Sequence, residues 1–130
     1  MNWYIDSSAI IKLIKPEAET AALLKIISSP LISSQLSRVE VFRTINLTNS
    51  ALLESAHDVL IDIQMFPIEN SILVIAENFP SFIELRTLDS IHLATAITLR
   101  NAIQGIITYD KELAKAAITL GFEVLSPGMK

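Results

Sequence analysis

Asp6, Glu40, Asp89 and Asp110 stand in four separate stretches of the chain, each where an apolar strand ends or a helix turns. Asp6 ends Trp3-Tyr4-Ile5, and Asp110 ends Ile106-Ile107-Thr108-Tyr109. Glu40 lies in Ser37-Arg38-Val39-Glu40-Val41-Phe42-Arg43, and Asp89 in Leu88-Asp89-Ser90-Ile91-His92-Leu93-Ala94. Carboxylates dispersed in this way form a site only when the fold gathers them. Gathered, they repel one another, and proteins tolerate that chiefly where a divalent cation supplies the opposing charge. An all-oxygen acidic set suits Mg²⁺ or Mn²⁺ and the hydrolysis of a phosphodiester, with a metal-bound water of lowered pKa set in line with phosphorus.

Small hydroxyls accompany the acids. Ser8 follows Asp6 by two residues and Thr108 precedes Asp110 by two, so both are placed to hydrogen-bond ligand carboxylates or metal-bound water, or, for Ser7 and Ser8, simply to start a helix. Asp89 at a helix start also has a purely local role open to it, since a negative charge is favoured there by the dipole. Arg43, one turn after Glu40, can pair with it or reach a phosphate. His92 is three residues from Asp89 within an apolar helix, where a core or supporting role outweighs catalysis; His57 has no companion ligand, and Arg38, Arg86 and Lys111 read as solvated charges. A nucleophilic triad lacks support, because there is no Cys and no Gly-x-Ser-x-Gly elbow, and the three glycines cannot form a phosphate loop of either common type.

The elements that must position these residues follow from hydrophobic period. Short Ile- and Val-rich runs alternate with longer segments of helical period, the pattern of a parallel sheet flanked by helices. Strands are expected near 2–5, 31–33, 66–68, 105–108 and 122–125. Helices are expected near 7–14, 17–28, 36–48, 51–63, 70–78, 89–101 and 111–120. Pro30 and Pro67 fall at strand starts in this reading, and Gly121 closes the last helix. Asp6 and Asp110 then lie at carboxyl ends of strands, where open α/β sheets bind their ligands, and Glu40 and Asp89 project from helices.

At 130 residues the chain reads as a single domain, 1–130, able to bury its own core. The absence of Cys excludes disulfides and zinc–thiolate sites. No window approaches the ~18 apolar residues of a membrane span, and the first residues lack the pattern of a signal peptide, so a cytoplasmic location is expected. The net charge of −4 is unusual for a protein that meets nucleic acid, yet setting aside the four site acids leaves 10 Asp and Glu against 10 Lys and Arg. Apolar residues make up 51% and charged ones 18%, below the roughly 25% charged of an average domain, so apolar surface is left to be covered by a partner. A symmetric homodimer through Ala51–Phe66, with Leu52, Leu53, Val59, Leu60 and Ile63, is the expected cover, the alternative being an ordinary core helix.

In these residues the chain resembles PIN-domain ribonucleases, and closely resembles the VapC-like toxins of toxin–antitoxin pairs. The likeness runs from Tyr4-Ile5-Asp6-Ser7-Ser8-Ala9 through Ser37-Arg38-Val39-Glu40 and Leu88-Asp89-Ser90-Ile91-His92-Leu93-Ala94-Thr95-Ala96 to Thr108-Tyr109-Asp110-Lys111-Glu112 and Ser126-Pro127-Gly128. The resemblance implies a PIN-like α/β/α sandwich with a central parallel sheet of about five strands. It implies a Mg²⁺- or Mn²⁺-dependent endoribonuclease with metal ligands at Asp6, Glu40, Asp89 and Asp110, supported by Ser8 and Thr108. It also implies an RNA substrate, a homodimer and a small cognate antitoxin whose C-terminal segment crosses the site. Three other readings compete: a silent PIN-like scaffold, which the complete acidic set disfavours; a housekeeping RNA-processing nuclease; and a phospho-acceptor receiver domain. The receiver is disfavoured because Asp6 stands without a paired acid and no Lys follows a late strand.

Overall fold

The computed structural model describes residues 2–129. Five parallel strands form one sheet in the order β3-β2-β1-β4-β5, built from β1 (Asn2–Ile5), β2 (Leu31–Ser34), β3 (Ile63–Phe66), β4 (Ile103–Ile107) and β5 (Val124–Leu125). Seven α-helices connect them: α1 (Ser7–Ile14), α2 (Thr20–Ile26), α3 (Gln35–Thr48), α4 (Leu53–Leu60), α5 (Asn70–Glu77), α6 (Thr87–Thr98) and α7 (Lys111–Thr119). This is the expected α/β/α sandwich.

Alternation along the strands assigns the two faces. Ile5, Leu31, Ile63 and Ile107 enter one core with Ala9, Ile10, Val41, Ile45 and Leu60 of α1, α3 and α4. Tyr4, Ile32 and Ile106, one residue out of phase, enter the other with Leu93, Ala96, Leu113 and Ala117 of α6 and α7. Close packing of β4 on β5 excludes a side chain at Gly105, where a Cβ would stand 2.5 Å from the Glu123 carbonyl oxygen and 2.7 Å from the Trp3 ring.

The chain winds β1, β2, β3 toward one edge, then returns to place β4 on the other flank of β1. The strand order therefore reverses between β1 and β4, and open α/β sheets bind ligands beyond the carboxyl ends of strands at such a point. Asp6 follows β1 there and Thr108 follows β4. The Asp6 N–H donates to the Ile107 carbonyl at 3.2 Å, so the ladder holds both segments up to the site itself.

The largest departure from the sequence reading is β3. It spans Ile63–Phe66 rather than 66–68, and Pro67 stands just past its end instead of at its start. The apolar residues at 52, 53, 59, 60 and 63 mimic one continuous helical stripe, but α4 stops at Leu60 and a turn at 61–62 intervenes. Ahead of α4 the chain makes a 3₁₀ turn at Ser50–Leu52. Pro67 biases its predecessor toward extended backbone, which fits Phe66 as the last strand residue. Elsewhere the differences are at element ends: α2 is shorter than 17–28, α6 begins two residues earlier than expected, and β4 starts at Ile103.

Candidate active site

Each acid is carried to the site by a local structural cause. Asp6 leaves β1 and becomes the N-cap of α1, its Oδ1 accepting the Ala9 N–H at 3.1 Å. Asp110 caps α7 in the same way, accepting the Leu113 N–H at 3.0 Å. Asp89 lies in the first turn of α6, and Glu40 in the middle of α3. Three of the four carboxylates thus stand at helix N-termini, where the dipole offsets part of their mutual repulsion. Asp6, not Ser7 or Ser8, starts the first helix.

All four carboxylates line one hollow of about 390 Å³, together with Ser7, Ser8, Arg86, Thr87 and Leu88. Asp6 is held most firmly. Ser8 donates to its Oδ1 at 2.6 Å, and Thr108 donates to its Oδ2 at 2.6 Å. The same two hydroxyls accept the backbone N–H groups of Tyr109 and Asp110, each at 3.0 Å, which ties the segment after β4 to the acid after β1. Tyr109 is itself braced, its hydroxyl donating to the Pro127 carbonyl and the Lys12 ammonium lying 4.7 Å from its ring centre. The sequence placed Ser8 and Thr108 to hydrogen-bond the acids, and both donate to Asp6.

Electrostatically the hollow is short of positive charge. Burial pushes the Asp6 carboxyl above the usual carboxylate range, against the opposing hydrogen bonds from Ser8 and Thr108. Asp89 is also raised, first by burial and then by the charge of Asp110. Arg86 is the one cation on the hollow's lining, 86% exposed with its Nε 3.9 Å from Asp89 Oδ2, a separation and exposure that give little compensation.

That deficit and the all-oxygen chemistry of the donors fit a hard divalent cation, with Asp6, Glu40, Asp89 and Asp110 as the residues able to hold it. Among the described residues, no three His, Asp or Glu side chains form a ready-made cage.

Arg43 is not brought to the hollow. It is exposed and lines a separate groove with Val39, Phe42, Asn46 and Leu53, and it makes no ion pair with Glu40. Arg43 occupies a neighbouring position on α3, three residues on from Glu40, but its side chain lies over Val39, Phe42 and Asn46 rather than toward the acids. Glu40 instead pairs with His92, for which the sequence favoured a core or supporting role: the buried ring places Nε2 2.6 Å from Glu40 Oε1, and its Nδ1 lies 2.7 Å from the Tyr4 hydroxyl. The available signal was the spacing of three between Asp89 and His92, which sets both on one face of α6. His57 stacks at a tilt against Phe42, ring centres 4.5 Å apart, away from the acids.

A PIN domain family model matches residues 3–118. The chain belongs to the PIN-domain family. Among characterised relatives it is similar to ribonuclease VapC46 of Mycobacterium tuberculosis, 37% identical over 126 residues that cover 95% of this chain and 96% of the relative. Among solved structures its fold matches the Mycobacterium tuberculosis toxin VapC20, which cleaves the sarcin–ricin loop, with a TM-score of 0.76 at 14% identity over 98% of this chain and all of that one. It also matches a toxin–antitoxin complex from Klebsiella pneumoniae, with a TM-score of 0.75 at 20% identity, over 96% of this chain and 97% of that one. The four carboxylates and the supporting hydroxyls Ser8 and Thr108 all fall within the matched PIN segment.

Proposed function

We propose that this PIN-domain protein is a Mg²⁺- or Mn²⁺-dependent endoribonuclease, the toxin of a toxin–antitoxin pair acting in the cytoplasm. The observation that carries the reading is the convergence of Asp6, Glu40, Asp89 and Asp110, from four separate segments, on one hollow at the strand-order reversal. Similarity to VapC ribonucleases along nearly the whole chain supports RNA as substrate. The intact acidic set speaks against a silent scaffold.

In this reading a bound divalent cation supplies charge neutralisation and a water acidic enough to attack phosphorus. The chain's own groups orient and exclude. Thr108 and Ser8 hold the two oxygens of Asp6 in fixed directions, and the caps on α1 and α7 fix the backbone beneath Asp6 and Asp110. The carboxylates repel a phosphodiester, and a cation held by Asp6, Glu40, Asp89 and Asp110 would offset that repulsion. Arg86, exposed at the rim, is the group placed to meet an RNA phosphate.

The partner surface follows from the remaining relief. A larger hollow of about 510 Å³, lined by Leu73, Phe79, Ile83, Leu85 and Ile91, shares Thr87 with the acidic one. An antitoxin segment lying along it reaches the acids without leaving the surface. Homodimerisation is proposed from the apolar side chains still exposed, which include Leu24, Val39, Leu47 and Ile61. Within Ala51–Phe66, Leu60 and Ile63 are buried core residues, while Leu52, Leu53 and Val59 pack partly against the same core, so most of that segment serves the fold. No described helix is long and apolar enough to cross a membrane.

The test is incubation of purified protein with tRNA, rRNA fragments and mRNA in Mg²⁺, Mn²⁺ or EDTA, with the ends mapped. Cleavage is expected with either metal and not with EDTA. Asp6→Asn and Asp89→Asn, folded by circular dichroism, are each expected to abolish it, because a lost ligand loosens the ion and misplaces the attacking water. A folded Asp6→Asn protein that cuts at the parental rate overturns the site.

A further inference from the structure

Glu40 differs from the other three acids in its support. Asp6 and Asp110 accept backbone N–H groups as helix caps and Asp89 stands in the first turn of α6, whereas Glu40 projects from the middle of α3. A glutamate has one more rotatable bond than an aspartate, so without a partner it samples several positions over the hollow. The partner it has is unusual for an exposed rim: an imidazole only 2% exposed, lying under the acids in α6. That imidazole is in turn bonded to the phenol of Tyr4, 1% exposed in the central strand. Tyr4 and His92 meet edge to face, ring centres 6.1 Å apart and planes at 74°, so packing fixes the ring plane as well as the bonds.

The bond pattern sets the tautomer. A carboxylate only accepts, so His92 Nε2 carries the proton it donates to Glu40 Oε1. With that proton on Nε2, a neutral ring has its lone pair on Nδ1, into which the Tyr4 O–H would donate across 2.7 Å. We infer that Tyr4 and His92 are positioning residues for Glu40: they clamp Oε1 from beneath the site and leave Oε2 as the oxygen presented to the hollow. The inference rests on the ribonuclease reading for its purpose, but its geometry is testable alone. Partners that orient a ligand side chain typically contribute about 10–100-fold to metal affinity or activity. Because α6 carries Asp89 and His92 three residues apart, one helix both presents an acid and aims another across the hollow.

Two measurements decide it. Long-range ¹⁵N–¹H correlation spectra of the metal-free wild-type protein are expected to show His92 protonated on Nε2 with Nδ1 bare; a proton on Nδ1 with Nε2 bare overturns the clamp whatever the protein cleaves. Mn²⁺ affinity by calorimetry and RNA cleavage are then compared in His92→Gln, His92→Leu and Tyr4→Phe. His92→Gln, whose amide nitrogen can replace Nε2–H, is expected to stay within a few-fold of wild type. His92→Leu is expected to lose about 10–100-fold in Mn²⁺ affinity and kcat with KM for RNA unchanged, and Tyr4→Phe to fall between them. Equal Mn²⁺ affinity in folded His92→Leu and wild type overturns the clamp. If His92→Leu fails to fold, equal affinity in Tyr4→Phe and wild type together with the wrong tautomer does the same. A wild-type protein that neither cuts RNA nor binds Mn²⁺ sinks the ribonuclease reading, and the tautomer still decides the clamp.

Discussion

Removal of one oxygen, in Thr108→Val, tests how the two halves of the site are joined. Thr108 is fully buried, donates to Asp6 Oδ2 at 2.6 Å and accepts the Asp110 N–H at 3.0 Å. Valine keeps the shape and deletes both bonds. The bond to a carboxylate is worth about 1.5–3 kcal/mol and the backbone bond about 1 kcal/mol, while the added methyl returns about 0.8 kcal/mol of apolar burial. The net loss is about 1.5–3 kcal/mol. For 130 residues the unfolding entropy is about 0.27 kcal/mol per degree, so Tm should fall by about 6–11 °C. Urea titration measures the free energy and a thermal scan the Tm. Thr108→Ser retains the hydroxyl and should recover most of the loss apart from about 1 kcal/mol for the missing methyl. The Thr108 bond also lowers the Asp6 pKa against its burial, so its loss shifts the acid limb of any cleavage profile to higher pH. A Thr108→Val protein within about 0.5 kcal/mol of wild type refutes the claim that this hydroxyl joins β1 to β4 at the site.

Crowding of the acids makes a second expectation about pH and metal. Burial and the Asp110 charge raise the folded-state pKa of Asp89, so its stability contribution is complete below the unfolded carboxylate value near 4 and is lost as pH rises through the folded value. Metal-free Asp89→Asn should therefore melt above wild type at pH 7.5, with the gap closing toward pH 4, and a wider gap at pH 4 would contradict the sign. Mn²⁺ at tenfold its Kd should raise wild-type stability by about 1.4 kcal/mol by binding only the native state, and Asp89→Asn should respond less. Light scattering at high micromolar protein, with no antitoxin present, should give the mass of a dimer; a strict monomer counts against the apolar surface at Leu24, Val39, Leu47 and Ile61 being self-complementary.

How far the sequence carried the reading depends on whether a signal was local. Asp6 was legible because a charge directly after Trp3-Tyr4-Ile5 has to end a buried strand, and β1 ends at Ile5. Ser8 was legible because it lies two residues from the acid it bonds, whereas Thr108, two residues from Asp110, gives its hydroxyl to Asp6 across the sheet, a pairing no local spacing announces. Arg43 fails the same logic: its meeting with Glu40 depends on which way a helix face turns, and α3 turns it to another groove. The end of α4 was hidden because Ile63 continues the apolar spacing of Leu53, Val59 and Leu60 while belonging to a strand. Tyr4, Glu40 and His92 come from β1, α3 and α6, and nothing within any of those segments announces the other two.

The same architecture explains why the site costs the fold so little. Four carboxylates facing one hollow with a single exposed arginine ought to drive the surrounding elements apart. Two of them instead cap helices and Asp89 lies in a first turn, so backbone N–H groups at Asp6 and Asp110 and the dipoles at all three stabilise their charge. Glu40, lacking a helix start, takes its hydrogen bond from a side chain, and that partner is buried where water cannot compete for the bond. Burial raises the carboxyls of Asp6 and Asp89, and at Asp89 the charge of Asp110 adds residual repulsion. A cation would relieve that repulsion in the folded state alone, so the strain that weakens the metal-free protein is the same free energy that draws the ion to the site.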